Sequence, residues 1–444
     1  MAERAANNVN EVDKALHEAA SEGHLDIVEY VVGQGAQIDT CDIKYGETSL
    51  HCASRNGHLD VVQYLLSKGA QVEKGDNNGR TPLLNASHGG HLDVVQYLVS
   101  QGALIDSSNI YGSTPLHAAS HGGHLDVVRH LVSQGALIDS SNIYGETSLH
   151  AASHEGHIKI VKYLVSQGAQ VEKGDNRDWT PLINASHVGH LDVVQYLVSQ
   201  GAQVKKVNYK GWTSLINASH EGHINIVKYL VSQGAQVEKG NNTGWTSLIS
   251  ASHGGHIEIV KYLVSQGAQV EKGNYRGWTS LISASDGGHI DIVRYLVDQG
   301  VKVEKGDNNG STPLHHASLK GHLDVVKYLV SQGAQVKKGN YKGWTSLISA
   351  SDGGHIDIVR YLVSQGAQVE KGDNNGSTPL HHASLKGHLD VVKYLVSQGA
   401  QVERGDNNGI TPRLSASQGG HLDVVQYLAS GPARRKEASP KEIK

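Results

Sequence analysis

The sequence predicts an all-α fold, a solenoid of stacked helix–turn–helix units with β-hairpin arms. Three observations predict it. The dipeptide Gly-His recurs along the chain, at His24, His58, His91 and so on to His421, with a first spacing of 34 residues and eleven further spacings of 33. A fixed period of roughly 20–50 residues marks a stacked array. The composition carries the omissions of one copied unit: 52 Gly and 28 His stand against no Phe and one Met, Met1. Within each unit the apolar residues follow helical spacing.

The elements are read in order from residues 306–338, the tenth of thirteen units counted by Gly-His. Asp307, Asn308, Asn309 and Gly310 form a turn cluster. Thr312 is placed to cap a helix, with Pro313 in its first position, where a missing N–H costs nothing. This short helix carries Leu314 and Ala317 and ends at Gly321. A second helix begins at His322, with Leu323, Val325, Val326, Leu329 and Val330 mostly on one face, and Gly333 stops it. A strand-like segment, Ala334 to Val336, leads into the next turn. One such unit has an apolar face it cannot bury alone, so stability comes from its neighbours. Six prolines (Pro82, Pro115, Pro181, Pro313, Pro379, Pro412) share the slot after the capping Thr, and six other units put Ser there.

The stretches TPLHAAS at Thr114–Ser120 and TPLHHAS at Thr312–Ser318 and Thr378–Ser384 carry a family resemblance. The pattern resembles the ankyrin repeat, over about residues 13–431. The resemblance implies an ankyrin-repeat solenoid that binds other proteins, without naming them. The departures are local. The paired alanines of the first helix become Ala-Ser in most repeats, as at Ala218-Ser219. Glu or Lys replaces the usual Asn near the start of the arm, as at Glu271 and Lys337. Repeats 6 to 9 and 11 replace the TPLH histidine by Ile, as at Ile216 and Ile348, which should alter hydrogen bonding between repeats. Asp178 stands in a left-handed loop position that other repeats give to Gly.

Residues 1–12 are expected to be disordered, residues 13–431 to form the array, and residues 432–444 to be a short charged tail. The first and last repeats read as caps: repeat 1 lacks the turn and capping Thr, and repeat 13 places Arg413 where other units have Leu. Repeats 9 and 10 recur almost unchanged as repeats 11 and 12, shifted by 66 residues. That is the mark of a duplicated block.

Net charge is −4, which offers no overall basic surface for nucleic acid, and no apolar run approaches a membrane span. Cys41 and Cys52 read as free thiols in a reducing compartment. The expectation is a monomer in the cytoplasm or the nucleus. His154/His157 and His220/His223 are each three apart, but the H-E-x-x-H zinc spacing is absent and Cys and carboxylate partners are not clustered. No nucleophile elbow, Walker A or dinucleotide fingerprint occurs. The sequence points to no enzyme, no cofactor and no metal.

The arms and groove hold the candidate binding residues. Trp179, Trp212, Trp245 and Trp278 precede the capping Thr in repeats 6 to 9, and Trp344 does so in repeat 11. Tyr209, Tyr275 and Tyr341 lie in the same loops, flanked by Lys205, Lys206, Lys210, Arg276, Lys337, Lys338 and Lys342. Two readings stand side by side: packing of arm on arm, or a ridge of Trp, Tyr and cation with the chemistry of a binding hot spot. The positions before Gly-His also vary on a fixed frame, as in Leu319-Lys320, His220-Glu221 and Asp286-Gly287. The expected function is a non-enzymatic scaffold or adaptor for signalling partners, bound through hairpin arms and the concave groove. The alternative is a structural tether linking membrane proteins to the cytoskeleton.

Overall fold

The structure is a computed structural model that describes residues 2–430, with side chains from residue 11. The charged tail expected at 432–444, and residue 431, lie outside the described residues. Among the described residues twenty-six helices follow one another as thirteen pairs. The described chain divides after Ser214 into two compact units. Within each, first helices pack on the first helices of neighbouring repeats, and second helices on second helices.

Repeat 3 shows the local logic in the first unit. The Thr81 hydroxyl accepts the Leu84 N–H at 3.3 Å and caps the helix Pro82–Gly89. Gly90, at φ +79°, ends it. The second helix, Leu92–Ser100, buries Val94, Val95 and Leu98 completely. Full burial of such a side chain is worth about 1.5–3 kcal/mol. Repeat 10 does the same in the second unit, through the helices Pro313–Lys320 and Leu323–Ser331, with Val325, Val326 and Leu329 buried.

The arms are turns rather than paired strands. Among the described residues the only β-pairing is two isolated bridges, Val207 to Thr213 and Gly339 to Thr345. The stretch Ala334–Val336 is coil entering a turn. Side chains do the work that a sheet ladder would do: Asp76 Oδ1 accepts the N–H groups of Asn78 and Arg80, both at 2.8 Å. Neighbouring arm tips join through single backbone bonds, as when the Ile110 N–H donates to the Asn78 carbonyl at 2.9 Å.

The ends differ from the middle. The first helix runs Ala2–Glu22. Its backbone is therefore helical through most of residues 1–12, where the sequence suggested disorder. That segment holds no Gly or Pro before Gly23 to stop a helix. At the far end Arg413 is exposed and Leu414 is 48% exposed, whereas Leu84 in the same position of repeat 3 is buried.

The repeat-to-repeat frame explains the recurring Gly-His. Most of these histidines donate Nε2–H to a carbonyl of the preceding repeat: His91 to Arg55 at 2.8 Å, His124 to His88 at 2.9 Å, His289 to His253 at 2.9 Å. The ring lies flat against the glycine of that preceding repeat. A Cβ at Gly90 would clash with the His124 ring, and its positive φ already disfavours a side chain. The TPLH histidine bonds the other way. His315 Nδ1 lies 2.8 Å from Thr312 Oγ1, and its Nε2–H donates to the Trp344 carbonyl of the next repeat at 2.9 Å. Burial pushes His315 down to about 4, so the imidazole is neutral at pH 7. Ile249, Ile282 and Ile348 cannot make this bond.

The Glu that replaces the family's usual Asn forms a clamp between arms. Glu238 Oε1 accepts the Gln269 N–H at 2.8 Å while Oε2 pairs with Lys272 at 3.0 Å. Glu304 does the same with Gln335 and Lys338, both at 2.8 Å. The Ser that replaces Ala leaves a fully buried hydroxyl without a hydrogen-bond partner, as at Ser120 and Ser318.

Candidate functional site

The side chains that the frame does not consume gather between the arms and the first helices. Each first helix presents the position after its TPLH residue to this groove. The occupants differ: Asn85, Ala118 and Ala151 in the first unit, Ser283, His316 and His382 in the second. Frame position and groove position are thus adjacent in sequence but opposite in role.

In repeat 10 of the second unit the groove slot is filled. His316 is 12% exposed, with Asp286 Oδ1 3.4 Å from Nδ1 and Asp307 Oδ2 3.3 Å from Nε2. A neutral imidazole can donate to only one of them, so the pair of carboxylates favours the imidazolium. Burial presses the His316 pKa down, but the hydrogen bonds and charges of Asp286 and Asp307 outweigh it, and the pKa is raised. Burial would raise Asp286; the His316 hydrogen bond and the charges of Lys320, His316 and His253 hold it below the usual carboxylate range. Trp278 meets the His316 ring edge to face at 4.7 Å. The duplicated block repeats the arrangement: His382 lies between Asp352 at 3.6 Å and Asp373 at 3.2 Å, under Trp344 at 4.5 Å.

The sequence's candidate residues fall into separate places. All five tryptophans are half-buried. Trp179 and Trp245 set an edge against His187 and His253 of their own repeats, at 5.5 and 5.6 Å. Trp245 and Trp278 adjoin at 6.3 Å. Trp212 is bonded within its own loop, its N–H donating to Asn208 Oδ1 at 3.0 Å. The tyrosines are not in these stacks: Tyr275 and Tyr341 are 74% and 77% exposed, each lying over a glycine of the preceding arm, and Tyr209 is 49% exposed. Lys206 and Lys338 are held in Glu clamps, and Lys210 lies over Tyr209 at 5.5 Å. Leu319 is half-buried, with its carbonyl taken by His355, and Lys320 is exposed.

In the first unit the groove slot is open. A cleft of about 280 Å³ runs across repeats 2 to 5, lined among others by Arg80, Asn85, His88, Ser113, His121 and Glu146. His88 and His121 stack at 6.1 Å. Burial, then the charges of His121, Arg80 and His124, push His88 below its ordinary value. The sequence reading passed over this cleft and over the His316 cluster. The signal for both was the groove slot itself, which changes residue type while its TPLH neighbours hold the frame.

Among the described residues no three His, Cys, Asp or Glu side chains are arranged to hold a metal ion, and no helix is long and apolar enough to cross a membrane. Cys41 is exposed and Cys52 buried, and neither forms a disulfide; burial pushes the Cys52 thiol up to about 11.

Stacked helical pairs with an invariant frame and a variable groove define a solenoid repeat protein. The known family described as ankyrin repeats (three copies) matches nine overlapping stretches that run from residue 2 to residue 437, and the chain belongs to that family. Ankyrin repeats are in general protein–protein interaction modules. Among solved structures, the ankyrin repeat domain of human ASB11 is 29% identical, over 50% of this chain and 98% of that one, with a TM-score of 0.46. A comparison with curated proteins found no match.

Proposed function

We propose that the chain is a non-enzymatic scaffold or adaptor, acting as a monomer in the cytoplasm, that binds partner proteins through its arms and groove. One observation supports this reading above the others. The frame histidines spend Nε2 on carbonyls of neighbouring repeats, whereas Trp245 and Trp278, 6.3 Å apart, are only partly buried beside a groove of variable side chains. Paired, partly exposed aromatics are the usual anchors of protein interfaces.

The test is capture of partners from cell lysate by the full chain, quantified against a Trp245→Ala/Trp278→Ala double variant and against Leu319→Ala. The double variant should weaken the main partner at least tenfold, about 1.4 kcal/mol, at a temperature where circular dichroism shows both proteins fully folded. A lowered melting temperature with unchanged capture would mean that these tryptophans only pack the arms.

A further inference from the structure

The cleft of the first unit contains a donor that nothing in the fold uses. Asn85 is 5% exposed, and its Nδ2 has no hydrogen-bond partner. Leaving such a group unpaired costs on the order of 1–3 kcal/mol. Beside it, the exposed Arg80 guanidinium forms no ion pair with a carboxylate among the described residues. The nearby Arg55 is different: both of its terminal nitrogens are held at 2.7 Å by Glu47. Arg80 is therefore the uncommitted cation of the cleft. The space exists because the groove slots of repeats 4 and 5 are Ala118 and Ala151, and because Ser113 stands where other arms carry Trp.

Resting on the groove as a partner-binding surface, we propose that this cleft seats the carboxylate side chain of an Asp or Glu from a partner protein, between Arg80 and Asn85. A carboxylate has two oxygens: one suits the guanidinium and the other the orphan amide. The stacked His88 and His121 rings form the adjoining wall. On the far side Glu146 is fixed by the Asn142 amide at 2.9 Å. Its charge opposes a second negative charge on the ligand, so a monoanionic carboxylate is preferred to phosphate. A volume of about 280 Å³ fits a side chain and its backbone rather than a larger cofactor.

The experiment uses the full chain labelled with ¹⁵N-asparagine, the Asn85 amide signal being assigned by its loss in Asn85→Leu. N-acetylglutamate α-methylamide, whose only charge is the side-chain carboxylate, the neutral N-acetylglutamine α-methylamide and inorganic phosphate are titrated separately. The Asn85 signal should move saturably with the glutamate α-methylamide and stay in place with the glutamine α-methylamide. Arg80→Gln, whose melting temperature should match the parent, should weaken the response at least roughly tenfold. An equal response to the glutamine α-methylamide, no response to any probe, or an unaffected Arg80→Gln overturns the proposal. A stronger response to phosphate overturns it in favour of a free-anion site. No partner protein enters this assay, so its failure is distinguishable from failure of the scaffold reading.

Discussion

Repeat 3 and repeat 10 carry different polar residues at the same groove slot, and they are built to opposite ends. In repeat 10 both nitrogens of His316 face carboxylates and Trp278 covers the ring. In repeat 3 Asn85 is as buried, yet its amide donor is unpaired and an open cleft lies beside it. The backbone is the same, so the difference lies in the neighbours. Repeat 9 supplies Asp286 and Trp278; in repeat 2, which precedes repeat 3, the corresponding places hold Arg55 and Glu47. A solenoid can thus spend a groove position on its own cohesion or leave it for a ligand, without altering the frame.

The largest expected effect comes from emptying the closed cluster. His316→Ala leaves Asp286 and Asp307 without their shared cation. Removing one partner of a buried ion pair costs about 3–5 kcal/mol. Native-state hydrogen exchange should show this loss over residues 280–330, and a loss under about 1 kcal/mol would break the comparison.

The pH dependence comes next. The His316 pKa is raised from 6.5 in the folded chain, so its contribution is complete below 6.5 and is lost as pH rises through the folded value. The pKa values of Asp286 and Asp307 are lowered from 3.8, so their contribution is present above 3.8 and fades as pH falls through their folded values. The difference in local stability between the parent and His316→Ala should therefore peak near pH 5–6 and shrink toward pH 9. A difference that grows with alkaline pH would contradict the imidazolium assignment.

Asn85→Leu should have the smallest effect. Replacing an orphan donor by an apolar group of similar size should keep stability within about 1 kcal/mol of the parent, or raise it. Denaturant unfolding followed by circular dichroism measures this, and a loss like that of His316→Ala would show that Asn85 has a structural partner.

Much of the frame was legible in the sequence because it repeats. Gly-His gave the period, and the capping Thr with Pro or Ser gave the first helix. The left-handed Asp178 was also legible, and it adopts φ 57° as the only non-Gly residue with positive φ among those described. The arms were harder. Their composition suggests hairpins, but Asp and Asn side chains hold the turns and leave only two isolated bridges. The site was the least legible part. Trp and Tyr sit a few residues apart in one loop, yet Trp278 turns inward onto His316 while Tyr275 stands outward. Which way a loop side chain turns depends on the neighbouring repeat, which periodicity does not report. The Asp286–His316–Asp307 cluster joins three different segments for the same reason.

The central claim is that an unfilled groove slot is kept for a ligand, and one measurement tests it most directly. Hydrogen exchange is recorded on the parent and on Asn85→Leu, with and without saturating N-acetylglutamate α-methylamide. A ligand that binds only the folded state must stabilise it. The parent should gain protection over residues 76–124 and nowhere near His316, and Asn85→Leu should gain none. Protection that is unchanged in the parent, or that rises equally in both proteins, would contradict the account.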